Sequence, residues 1–137
     1  MPIKQTAMEF FDACETGKGW DACQQYCHDG ATFDAQTDAL HGITTLEAYT
    51  AWMQAMYDPM PNAEYELLGF AVDEERETVI GAAVFKGTNT VDTDEIAATG
   101  KSVAADYCYV MKFDGDKISH MTKIWNDGHS LRQLGWA

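Results

Sequence analysis

The chain has 137 residues, with 22 acidic and 9 basic side chains and a formal net charge of −13. Nucleic acid and anionic membrane both need a positive field, so neither is an expected partner. The length suits a single domain, 1–137, and 46% hydrophobic and 12% aromatic residues can build one core around an internal cavity.

No apolar run approaches the roughly 18 residues needed to span a membrane. The start, Met1-Pro2-Ile3-Lys4-Gln5-Thr6, lacks the apolar centre of a signal peptide. The expected location is cytoplasmic. There Cys14, Cys23, Cys27 and Cys108 read as small buried thiols rather than disulfides. Cys23, Cys27 and His28 lack the spacing of a zinc knuckle, so no metal is expected.

Along the chain, helices come first. Ile3, Ala7, Phe10, Phe11 and Cys14 recur at helical spacing, with a capping-box pair at Thr6 and Glu9 and a stop at Gly17. Asp21 is placed to cap a short second helix carrying Ala22, Tyr26 and Cys27, which His28-Asp29-Gly30 would end. The segment 31–35 reads as a short strand. Thr44 and Glu47 repeat the capping pattern before a third helix. Its face of Leu46, Tyr49, Met53, Met56 and Tyr57, flanked by Trp52, is large, flexible and aromatic. Asp58-Pro59 ends it.

After Asn62 the pattern is a meander of strands, near 63–73, 77–91, 102–113 and 117–127, joined by tight turns at 73–76 and 114–116. Alternation puts Val103, Ala105, Tyr107, Tyr109, Met111 and Phe113 on one face, the candidate concave side. On the last strand Ser119, Met121, Lys123, Trp125 and Asp127 share a face, and Ile118, His120, Thr122, Ile124 and Asn126 share the other. Helices followed by strands imply an α+β fold with helices packed on a largely antiparallel sheet.

The chain closes with Asn126-Asp127-Gly128-His129 and a short amphipathic turn carrying Leu131 and Leu134. A carboxylate beside Trp125 is a candidate acid or base; Asn-Asp-Gly is also ordinary turn chemistry. If Asp127 faces a cavity, Met121, Trp125, Tyr107 and Tyr109 would strip water from it and raise its pKa toward a useful value. Candidate donors to a developing oxyanion are Tyr107, Tyr109, His41 and Asn126. His129 is placed to orient the carboxylate, and Trp52, Met53, Met56 and Tyr57 to line the mouth of an apolar pocket.

Gly87-Thr88-Asn89-Thr90, Ala98-Thr99-Gly100-Lys101, Asp114-Gly115-Asp116-Lys117-Ile118 and Asp127 with Gln133-Leu134-Gly135 occur in that order. The set resembles the SnoaL-like polyketide cyclase branch of the nuclear transport factor 2-like, or ketosteroid isomerase-like, superfamily. The resemblance implies a cone-shaped α+β barrel of the cystatin-like kind. In it a curved antiparallel or mixed sheet wraps the N-terminal helices around an internal cavity. It also implies a homodimer through the outer sheet face and, in the cyclase branch, one Asp on the last strand as the acid/base group. Counting back from Gln133, that position falls on Asn126, with Asp127 one residue later. A slip of one residue reverses the face, so both remain candidates. Asn89 stands in an element where the branch often carries His, which makes it a candidate contact to a substrate.

The expected function is a cavity that binds a small apolar molecule. Within the resemblance this is a cofactor-free cyclase or isomerase moving a proton beside a carbonyl, with Asp127 as base. The alternatives are a non-catalytic module for a hydrophobic ligand and a dimerisation module.

Overall fold

The computed structural model describes residues 2–137. Helix α1 spans Ile3–Glu15, α2 Trp20–Cys23, strand β1 Cys27–Ala35 and α3 Leu46–Met56. They are followed by β2 Glu64–Asp73, β3 Thr78–Thr88, β4 Ser102–Asp114, β5 Lys117–Trp125 and α4 Asp127–Leu134. The five strands form one sheet in the order β1-β5-β4-β3-β2. β2 to β5 are an antiparallel meander, and β1 adds parallel to β5, so the sheet is mixed. Among the described residues no helix is long and apolar enough to cross a membrane.

Helix α1 lies against the sheet because its apolar stripe is continuous. Ala7, Phe10, Phe11 and Cys14 are fully buried. The Phe11 ring sits at 5.1 Å from that of Tyr109, 5.4 Å from Tyr65 and 5.9 Å from Phe70. These offset and edge contacts add to the area they remove from water. The β4 face from Val103 to Phe113 is buried throughout, as its alternation implies.

Local differences from the sequence reading have simple causes. α1 starts at Ile3, so Thr6 lies inside the helix and its hydroxyl donates back to the Pro2 carbonyl instead of capping. Thr45, not Thr44, caps α3 and accepts from the Ala48 amide at 3.1 Å. The Thr44 carbonyl is held by the Phe33 amide at 2.9 Å, which keeps the chain extended one residue longer. α2 ends at Cys23, and Cys27 to Gly30 belong to β1 rather than to a helix. Ile118 is buried together with Met121, although simple alternation puts the two on opposite faces, because the β4–β5 register shifts between Lys112 and Phe113 and exchanges the faces at the start of β5.

Candidate functional site

A cavity of about 220 Å³ opens between α1, α3, α4 and the concave side of β3 to β5. Its walls are mostly apolar, with Trp52, Met53, Met56 and Met60 from α3 and the turn after it. Phe85, Val103, Ala105 and Trp125 come from the sheet, and Leu131 and Leu134 from α4. The volume exceeds the ~150 Å³ of an apolar cavity that takes up benzene. Two charged side chains, Glu15 and Lys123, also face this space.

Glu15 is the last residue of α1 and is fully buried. Its backbone carbonyl accepts a hydrogen bond from the Tyr57 hydroxyl, which holds the end of the helix against α3. Neither carboxyl oxygen has a hydrogen-bond partner among the described residues. Desolvation raises its pKa from 4.5 to about 7. The Lys123 charge tempers this shift, followed by the nearby Tyr109 and Tyr107 hydroxyls, although neither makes a hydrogen bond of ordinary geometry with the carboxyl.

Lys123 lies on the inward face of β5 and is 6% exposed. Its ammonium donates to the Tyr49 hydroxyl at 2.9 Å, and that hydroxyl is hydrogen-bonded to Tyr109. Five aromatic rings surround the nitrogen. Trp125 is nearest, with its centroid at 4.3 Å, and Tyr49, Trp52, Tyr107 and Tyr109 lie between 5.2 and 5.9 Å. The Trp125 indole is itself fixed by a 2.9 Å bond to the Ser130 hydroxyl. The ring faces favour the cation, whereas burial favours the neutral amine. Burial lowers the Lys123 pKa from 10.5 to about 8, against the pull of Glu15. The two charged groups face one cavity without forming a contact ion pair.

Tyr107 completes the polar group. Its hydroxyl is buried without a partner among the described residues, and its ring lines the cavity. Burial, reinforced by the Glu15 charge, keeps this phenol protonated and therefore a donor.

The residues singled out from the sequence divide between the cavity and other places. Trp52, Met53, Met56, Tyr107 and Trp125 line it. Tyr109 and Met121 are fully buried behind the lining. Tyr57 holds the Glu15 carbonyl instead of forming the mouth. Asn89 is a structural amide: it donates to the Pro59 carbonyl at 3.1 Å and accepts from the Thr99 amide and the Trp136 indole. Asn126 is exposed on the outer side and caps α4 by accepting from the His129 amide. Asp127 is half-buried at the first turn of α4, outside the lining. Its two oxygens accept from the Ala39 and Gly128 amides, both at 2.9 Å. His41 and His129 are exposed and do not reach the cavity. Among the described residues no group of three or more His, Cys, Asp or Glu side chains gathers as a metal site would require.

Glu15 and Lys123 were both within reach of the sequence. Glu15 follows Ala7 and Phe11 at intervals of four, which places it on the buried stripe of α1. An acid in a helix's last turn also opposes the macrodipole, which marks it as unusual. Lys123 alternates with Met121 and Trp125 on one face of the last strand, the face the structure turns inward.

A curved mixed sheet closed by helices over an apolar cavity with a few converging polar groups defines an α+β cone with an internal pocket. Residues 7–121 match the sequence model of the SnoaL-like domain, and the chain belongs to that family. Similar solved structures include a candidate SnoaL-like polyketide cyclase from Jannaschia Sp. CCS1, at 13% identity over 97% of this chain and 91% of that one, with a TM-score of 0.77. IdmH, a candidate polyketide cyclase from Streptomyces antibioticus, matches at 16% identity over 98% and 99% of the two chains, with a TM-score of 0.75. AclR, a candidate hydroxylase from Streptomyces galilaeus, matches at 14% identity over 98% and 82%, with a TM-score of 0.77. At these identities the likeness is one of fold. No curated protein sequence matches the chain.

Proposed function

We propose that this protein is a cofactor-free cyclase or isomerase that moves a proton beside the carbonyl of a small apolar molecule held in the cavity. The observation that carries this reading is the Glu15 carboxyl, buried in an apolar cavity with neither oxygen engaged. A pKa of about 7 suits a group that both takes and returns a proton near neutrality. The unengaged Tyr107 hydroxyl supplies a donor for the substrate oxygen, which an enolate requires. Glu15 thus takes the role that the sequence reading gave to Asp127. The Asp127 carboxylate is occupied by two backbone amides and acts here as a brace for Ala39 at the cavity wall.

Deuterium exchange at the carbons beside the carbonyl of cyclohexanone, followed by NMR in heavy water, tests this assignment. Saturable exchange is expected from the native protein and from Asp127→Asn, and not from Glu15→Gln. Exchange lost in Asp127→Asn and kept in Glu15→Gln would return the role to Asp127. Binding of the ketone with no exchange in any variant would make the chain a binding module.

The outer sheet face supports the homodimer. Ala82, Cys108 and Ile124 stand side by side on β3, β4 and β5, with Leu68 of β2 beside them. Leu68 and Ile124 are 58% and 59% exposed, an apolar row that water does not favour. Leu68→Glu with Ile124→Lys is expected to shift the mass measured by light scattering from dimer to monomer while the fold persists. A monomeric native protein would dispose of the dimer. The four free thiols, three of them buried, fit a reducing cytoplasmic compartment.

A further inference from the structure

We propose that Lys123 is a covalent nucleophile of this cavity: its amine condenses with the substrate carbonyl to form an iminium. The inference rests on the reading of the cavity as a carbonyl site and adds a second catalytic residue to it.

The geometry carries the proposal. A lysine whose only task were structural would be expected to pair with a carboxylate or to extend its head group into water. Lys123 does neither. Its nitrogen is held inside, on one hydrogen bond to Tyr49, and faces the same space as Glu15 without contacting it. The surrounding rings fix the position of the nitrogen beside the cavity. Among the described residues the titratable groups facing the nitrogen are Glu15 and Cys14 on α1, Tyr49 on α3, and Tyr107 and Tyr109 on β4. Burial raises the pKa of Cys14 and of all three phenols, so Glu15 is the one anion among them near neutral pH. A buried amine with a lowered pKa has a substantial neutral fraction near pH 8, and the neutral amine is the nucleophile.

The steps balance without an oxidant or a further reactant. The nitrogen lone pair attacks the carbonyl carbon, a C–N bond forms, and the π pair moves to the oxygen, which Tyr107 supports. A proton passes from nitrogen to oxygen and gives the carbinolamine. The Glu15 acid then protonates the hydroxyl. The C–O bond breaks, water leaves, and the nitrogen pair forms the C=N bond of the iminium. Glu15, now a carboxylate, removes a proton from the adjacent carbon, and the electron pair of that C–H bond enters the iminium to give an enamine. Reprotonation on carbon and addition of water return the ketone and the free amine. The iminium accepts this electron pair more readily than a neutral carbonyl does. It would therefore lower the barrier to the proton transfer assigned to Glu15.

Pentane-2,4-dione is the probe. A neutral amine converts it, with loss of one water, to an enaminone that absorbs in the near ultraviolet and needs no reductant to persist. Incubation of the native protein at pH 7.5, followed by peptide mapping, is expected to put the adduct on Lys123. Its rate should exceed that at the six other lysines by at least about tenfold, since ordinary lysines are almost wholly protonated there. The labelling rate should rise through a midpoint near pH 8. Lys123→Met, checked for folding by circular dichroism, should lose both the absorbance and most of the cyclohexanone exchange. No label on Lys123, or a rate no greater than at the other lysines, would overturn the proposal from the native protein alone. Full exchange in folded Lys123→Met would also overturn it while leaving the Glu15 reading intact. Labelling of Lys123 with no exchange in any protein would leave the amine as the nucleophile and remove the proton-transfer reading.

Discussion

Glu15→Gln is expected to lower the rate of proton exchange in a cavity-bound ketone by about a hundred- to ten-thousandfold, the usual contribution of a positioned base. The same change is expected to stabilise the fold at pH 9. The folded-state pKa of Glu15 is about 7, against an ordinary value of 4.5. Below pH 4.5 the group is protonated in both states and has no effect on stability. Between these values the unfolded chain ionises first, so stability falls as pH rises, and above pH 7 the cost is complete. The shift corresponds to about 3 kcal/mol. At pH 9 Lys123 is largely neutral, so its charge offsets little of this cost. Thermal unfolding at pH 9 and at pH 4 is the measurement. A gain of about 2–3 kcal/mol at the higher pH and none at the lower is expected. Equal melting temperatures of variant and native protein at both would contradict the burial of an ionised Glu15.

Lys123→Met is the mirror case, and its gain should appear at low pH. The folded pKa of Lys123 is about 8 against 10.5, so the charged form is disfavoured in the fold. Below pH 8 that cost is fully present; it is recovered between pH 8 and 10.5, where stability rises with pH. At pH 6 Glu15 is mostly protonated, so removing the lysine strands no anion. Methionine has the length and flexibility to fill the same channel among the rings. The lost bond to Tyr49 costs little, because that hydroxyl keeps Tyr109 as a partner. A net gain of about 2 kcal/mol at pH 6, shrinking above pH 8, is expected from calorimetry at several pH values. Most core substitutions destabilise, so a loss at pH 6 would show that the rings and Tyr49 support the ammonium more than burial opposes it. If both gains are measured, each charge is kept at the expense of stability, as expected of groups retained for a function.

The last strand shows where sequence reasoning about the site stopped. Alternation can choose between Asn126 and Asp127 only if β5 continues through both residues. It ends at Trp125, and Asn126 turns outward to cap α4. Asp127 thereby becomes a first-turn helical residue whose oxygens are taken by amides, a local competition that face-counting along a strand does not register. Asn89 went the same way: its amide ties the Pro59 turn, the loop before β4 and the chain's last residues together instead of meeting a ligand.

What the residues alone determined is the layout. The spacing of Ala7, Phe10, Phe11 and Cys14, the alternation along β4, and the turns at 73–76 and 114–116 specify helices packed on a meander. They depend on neighbours a few residues apart. The same periodicities put Glu15 in line with Ala7 and Phe11 and Lys123 on one face with Met121 and Trp125, and the structure turns both inward. Inwardness, however, does not say whether a charge finds a partner, reaches water or stays bare. That depends on which groups arrive from elsewhere in the chain: Tyr49 from α3, Tyr107 and Tyr109 from β4, and the Trp125 ring anchored by Ser130 of α4. Only the tertiary structure brings these together, and desolvation by that assembly moves the two pKa values toward each other, to about 7 and about 8.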